Sequence, residues 1–171
     1  FTTFKYHLRF NENKKFMELN NADLNLAVDA SSLDKSLNGL LWITSEYSKN
    51  PLNEINKLSE IKKIVNSELT NKIIISDYQV LPSILKIKHI APNKWFDILS
   101  VPNKNNQYFD NYKTFFIKKL IEQKIETIFI IGKKEVFLKN ILKENCYKKE
   151  FINDISFKLK IKNCLVHTSL N

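Results

Sequence analysis

Residues Asn71–Pro102 read NKIIISDYQVLPSILKIKHIAPNKWFDILSVP. The stretch opens on Lys72–Ser76, a short and almost wholly apolar run of strand length. Asp77, Tyr78 and Gln79 stand where that strand must end, and Trp95 and two prolines, Pro82 and Pro92, follow. In open α/β sheets ligands gather at the carboxyl ends of strands, which is where these polar and aromatic groups stand.

On the N-terminal side, Ile55, Leu58, Ile61 and Val65 repeat at helical spacing behind Asn50 as N-cap and Pro51 at a first helical position. Leu40–Thr44 (LLWIT) reads as a buried strand after Gly39. Asn21–Leu37 carries Leu24, Ala27, Val28 and Ser31 at helical intervals, predicting a helix broken near Ala30–Ser32. Phe4–Phe10 alternates apolar and polar residues, a half-buried strand, and Lys15–Leu19 is its returning partner or a helix start.

On the C-terminal side, Leu81–Leu85 predicts a short helix, and His89–Lys104, broken by Pro92 and Pro102, a long irregular connection. Such connections are uncommon in compact domains and often functional. Tyr108–Gln123 predicts a helix with Tyr108, Tyr112, Phe115, Phe116 and Leu120 along one side, read as core. Glu126–Ile131 is a further buried strand ending at Gly132. Lys133–Glu144 is a helix with Val136, Phe137, Ile141 and Leu142 inward. Finally Phe157, Leu159 and Ile161 alternate with Lys158, Lys160 and Lys162, a pattern suited to a lysine-guarded edge strand. Together these elements predict an α/β fold. Its layered, mostly parallel sheet would have about four or five strands flanked by helices, with an N-terminal strand or hairpin and the Lys-rich edge strand at the C-terminus. One domain spans 1–171, with an N-terminal extension 1–20, a core 21–164 and a tail 165–171.

Composition bounds function more by exclusion. The net charge is +9, but Arg9 is the one arginine among 27 basic residues. Base readout and bidentate phosphate contacts lean on arginine, which argues against nucleic acid. The Lys, Asn and Ile excess is that of an AT-rich coding sequence. Residues 1–99 are net +2 and residues 100–171 net +7, so the C-terminal part suits an anionic surface or is a solvated lysine face.

Gly39 and Gly132 are the only glycines, which leaves no dinucleotide fingerprint, no P-loop and no nucleophile elbow. His7, His89 and His167 form no metal-spaced pair, and neither metal nor cofactor is expected. Cys146 and Cys164 are either both free or close one bridge. Such a loop would contribute about 3 kcal/mol in an oxidising compartment.

The candidate binding residues are therefore those at strand exits: Asp77, Tyr78 and Gln79, then Ser45 and Glu46 after Thr44, with Trp95 as a sugar-stacking ring or a plug onto the core. Each has a plain structural alternative. Asp77, for instance, would cap a helix as readily as hold a ligand. No catalytic residue is assigned.

Several segments carry a resemblance: KYHLRFNENKKFMEL (Lys5–Leu19), LNGLLWITSEY (Leu37–Tyr47), NKIIISDYQVLPSIL (Asn71–Leu85), PNKWFDILSVP (Pro92–Pro102), and YFDNYKTFFIKKL with TIFIIG (Tyr108–Gly132). They are similar to the soluble domain that follows the last membrane helix in bacterial multi-spanning proteins resembling GT-C-type glycosyltransferases. The resemblance implies a periplasmic, non-catalytic accessory domain, because that family's catalytic acids lie in the membrane part. It implies as partners the membrane-embedded part of the same polypeptide, an anionic phospholipid surface, and a lipid-linked sugar or acceptor. A start at Phe1 and a Cys146–Cys164 bridge also fit it. The rival expectation is an independent small α/β enzyme or ligand-binding protein, with its cleft at the strand carboxyl ends around Asp77.

Overall fold

A computed structural model describes residue 19 and residues 22–89, 91–93, 96, 100–132 and 135–162. The expected N-terminal strand or hairpin, Trp95, Lys133, Cys164 and the tail lie outside those residues, as do the side chains of Val136 and Phe137. The chain divides into two compact units, one up to Ser59 and one from Glu60 onward. The division falls inside helix α1 (Pro51–Ser67).

In the first unit the predicted Asn21–Leu37 helix does not form. Three 3-10 turns stand there instead, Leu24–Leu26, Ala30–Ser32 and Lys35–Leu37, with the two-residue strand β1 (Val28–Asp29) between the first two. The cause is local. Asp23, Asp29 and Asp34 each accept a hydrogen bond from the backbone N–H two residues on, at Asn25, Ser31 and Ser36. Each such Asx turn satisfies the backbone over a single tight turn and competes with the α-helix.

The expected buried strand Leu40–Thr44 shrinks to β2 (Leu41–Trp42), paired antiparallel with β1. Leu41 remains 73% exposed, so this ribbon is no part of the main sheet. The N-cap of α1 is as read: the Asn50 side chain accepts from Asn53 N at 3.2 Å.

The second unit holds a four-stranded sheet in the order β3 (Lys72–Ser76), β4 (Thr127–Ile131), β6 (Ser156–Ile161), β5 (Tyr147–Asn153). Only β3–β4 is parallel; β4–β6 and β6–β5 are antiparallel. The sheet is thus mixed rather than mostly parallel. It and the β1–β2 ribbon make six strands among the described residues.

The Lys-rich strand is not an edge, since β6 lies between β4 and β5. The outer place belongs to β5, whose alternation of Tyr147, Lys149 and Phe151 with Lys148, Glu150 and Ile152 is blurred by three adjacent charges. Lys158 is tolerated inside the sheet because acids surround it. Its ammonium lies 3.2 Å from Glu68 and 3.5 Å from Glu150, the residue directly opposite it on β5.

Helices α2 (Leu81–Ile84), α3 (Phe109–Glu122) and α4 (Glu135–Ile141) complete the unit. Ile73 and Ile75, Ile128 and Ile130, and Phe157 and Leu159 share one sheet face. That face joins one core with Phe109, Phe116, Ile117 and Leu120 of α3 and Leu138 and Ile141 of α4. Tyr108 and Phe115, expected in the α3 stripe, are 62% and 42% exposed; Phe109 and Ile117 take the inward positions.

The opposite face carries Ile74, Phe129, Lys158 and Glu150 in one row across the strands. The end of α1 and the turn after it lie on this side. Lys72 Nζ donates to the Glu68 carbonyl, and the Thr70 and Thr127 hydroxyls are 2.8 Å apart. A cation at a helix C-terminus is favoured by the macrodipole. Both faces of β3 and β4 are buried, which is why their sequences are continuous apolar runs.

Candidate functional site

β3 is an outer strand of the sheet, and a cavity of about 320 Å³ opens beside it. Ile74 and Ser76 contribute from the strand, Tyr78 and Gln79 from its exit, and Pro82 from α2. The long connection supplies the other wall with Ile87, His89, Ala91, Asn93 and Phe96.

Several of these groups are fixed by local bonds. Ser76 Oγ accepts from Tyr78 N at 2.9 Å and turns the chain out of the strand. His89 Nε2 lies 3.2 Å from Asn71 Oδ1, at the start of β3. Asn93 Nδ2 donates to the Ser100 carbonyl at 3.1 Å. Phe96 is anchored edge-on against Phe116, ring centroids 6.4 Å apart, so it joins cavity to core.

The wall is apolar with a few hydrogen-bonding groups, the usual make-up of a small-ligand pocket, at the low end of the usual size of about 300–1,000 Å³. Among the described residues that line it, none is a carboxylate or a lysine.

Of the residues expected from sequence, Tyr78 and Gln79 meet in this cavity and Asp77 does not line it. Asp77 is exposed and lies against Gly132. A Cβ placed on Gly132 would come within 2.5 Å of Asp77 Oδ2, and Gly132 has φ +92°. Asp77 N also donates to the Ile131 carbonyl at 3.2 Å, extending the β3–β4 pairing by one residue. The aspartate thus closes the top of the parallel pair, where only a glycine leaves it room.

Ser45 and Glu46 are exposed in the first unit. Among the described residues of that unit the buried carboxylate is instead Glu54, 1% exposed in the first turn of α1. It accepts from Trp42 Nε1 at 2.7 Å and from the Thr44 hydroxyl at 2.9 Å, tying the end of β2 to the helix. Its sequence signal was weak: a glutamate just inside a helix N-terminus ordinarily faces solvent.

The cavity lies along the side of β3 rather than across the strand ends. Ile87, His89, Ala91 and Asn93 were legible only as a two-residue period inside an apparently irregular loop. Among the described residues, no group of three or more His, Cys, Asp or Glu could hold a metal ion. Nor is any helix there long and apolar enough to cross a membrane. No protein-family model, curated protein or solved structure matches the chain.

Proposed function

We propose that this chain is a binding domain, non-catalytic by itself, which serves a membrane glycosyltransferase-like protein from the extracytoplasmic side. The cavity beside β3 is where it engages the acceptor. The observation that carries this reading is the character of the lining: Ser76, Tyr78, Gln79, His89 and Asn93 around an apolar floor, with no carboxylate or lysine among the described lining residues. Glycosidic chemistry draws on carboxylates as acid, base or nucleophile, and a pyrophosphate carrier calls for cations. The described lining residues offer neither, whereas their amide and hydroxyl groups suit an uncharged polar acceptor. The resemblance of the Asn71–Leu85 and Pro92–Pro102 segments supports the membrane parent, and these two segments supply Ile74, Ser76, Tyr78, Gln79, Pro82, Asn93 and Phe96 to the cavity.

The test is a Gln79→Ala, Asn93→Ala double variant in membranes carrying the intact parent, followed by transfer assays over a range of acceptor concentration. KM for acceptor is expected to rise about tenfold with kcat nearly unchanged, the mark of lost uniform binding. Unchanged KM, or a loss confined to kcat, would overturn the reading.

A further inference from the structure

The two outer edges of the four-stranded sheet are built differently. β5 carries Lys148, Lys149 and Glu150, the charges that commonly discourage strand addition. β3 has three consecutive isoleucines and one charged residue, Lys72, whose ammonium is turned onto the Glu68 carbonyl.

The direction of the main chain follows from its bonds. The Asn71 carbonyl accepts from Thr127 N, and Asp77 N donates to the Ile131 carbonyl. Odd-numbered residues of β3 therefore address β4, while Lys72, Ile74 and Ser76 turn their N–H and C=O to the outer edge. Among the described residues no strand pairs with that edge. It opens on the cavity, whose far wall presents Ile87, His89, Ala91 and Asn93 at every second residue.

We propose that this edge receives an extended peptide, which adds a strand to the sheet through the main chain of Ile74 and Ser76 and sinks one uncharged side chain into the cavity. The inference rests on the cavity being the binding site and specifies what the acceptor is made of. Outward donors and acceptors repeating every two residues, about 6.6 Å apart, complement another main chain. A sugar has no matching period, and a phosphate would find no lysine among the described residues of the wall. The cavity is small enough for side chains of a bound strand rather than a whole large ligand, and the apolar, hydroxyl and amide groups among its described lining residues favour an uncharged residue.

The experiment uses the full chain, labelled for amide NMR. The probes are acetylated, amidated hexapeptides of alternating valine and threonine, with one central position varied over the uncharged amino acids. The tightest member is then N-methylated at alternate residues in either phase. Binding should shift the Ile74 and Ser76 amide signals. N-methylation in one phase should weaken binding at least tenfold and in the other phase hardly at all, since only one edge of the peptide faces β3. Ile74→Pro, which removes an outward N–H and no β3–β4 bond, should weaken it similarly. Equal losses in both phases, or no binding by any member at millimolar concentration, overturn the inference. Soluble oligosaccharides are titrated in parallel. A response of Tyr78 and Gln79 to sugar alone overturns the peptide while leaving the cavity reading standing. Silence to both probes removes both.

Discussion

Gly132 shows how much one residue can decide. Its φ of +92° is costly for any side chain, and the Asp77 carboxyl occupies the space a Cβ would need. Gly132→Ala should cost about 1–3 kcal/mol, read as a lowered denaturation midpoint. Adding Asp77→Ala should return the part due to the clash and leave the part due to φ, so the two changes will be non-additive. Additive losses would mean that the carboxyl is not held on the glycine. In the sequence Asp77 stood out as a strand-exit acid and Gly132 as a strand-ending glycine. That each fits the other was invisible, because 55 residues separate them in the chain and only the parallel pairing of β3 with β4 brings them together.

At the scale of elements, β6 is the instructive case. Its alternation was legible, and Phe157 and Leu159 do join the core. Its lysines suggested an edge, since a lysine row usually means solvent. Lys158 instead faces Glu68, from the turn after α1, and Glu150, from β5. Burial pushes the Glu68 carboxyl up, but hydrogen bonds from Lys158 and Thr70 and the charges of Lys158 and Lys160 outweigh it and hold it below its ordinary value of 4.5.

The sign follows from linkage. A depressed carboxyl contributes stability above its unfolded value, and that contribution is lost as pH falls through the lower folded value. Lys158→Met should therefore destabilise by roughly 1.5–3 kcal/mol near neutrality. The deficit should shrink below pH 4.5, where the unfolded carboxyl begins to take up its proton. Denaturant melts of both proteins across that range measure it; a deficit independent of pH would show that Lys158 acts through packing alone.

For the molecule as a whole, the question is what holds the end of the second unit. Cys146 is 2% exposed within the core, next to the start of β5. We propose that it is bridged to Cys164, as the periplasmic reading requires. Non-reducing mass mapping of protein exported to an oxidising compartment should recover one linked peptide pair. Reduction should then lower stability by about 3 kcal/mol. Two free thiols in such material would count against both the bridge and the compartment.

The amphipathic periods of α1 and α3 and the apolar runs of β3 and β4 are written in the sequence by themselves. They follow from burial on one helical face or on both sheet faces, and each is a local pattern. The Asx turns that replaced the predicted helix in the first unit were also local. Asp23, Asp29 and Asp34 stand among apolar residues at helical-looking intervals, and their side-chain bonds to the backbone two residues on outweigh that spacing. Strand order, the inner place of β6, the outer place of β5 and the cavity beside β3 were decided only in three dimensions. Each depends on a partner far along the chain: Glu68 neutralising Lys158, β6 inserting between β4 and β5, and the connection after α2 standing off from β3. A sequence records which side chains want burial or a counter-charge, and tertiary structure alone chooses who supplies it.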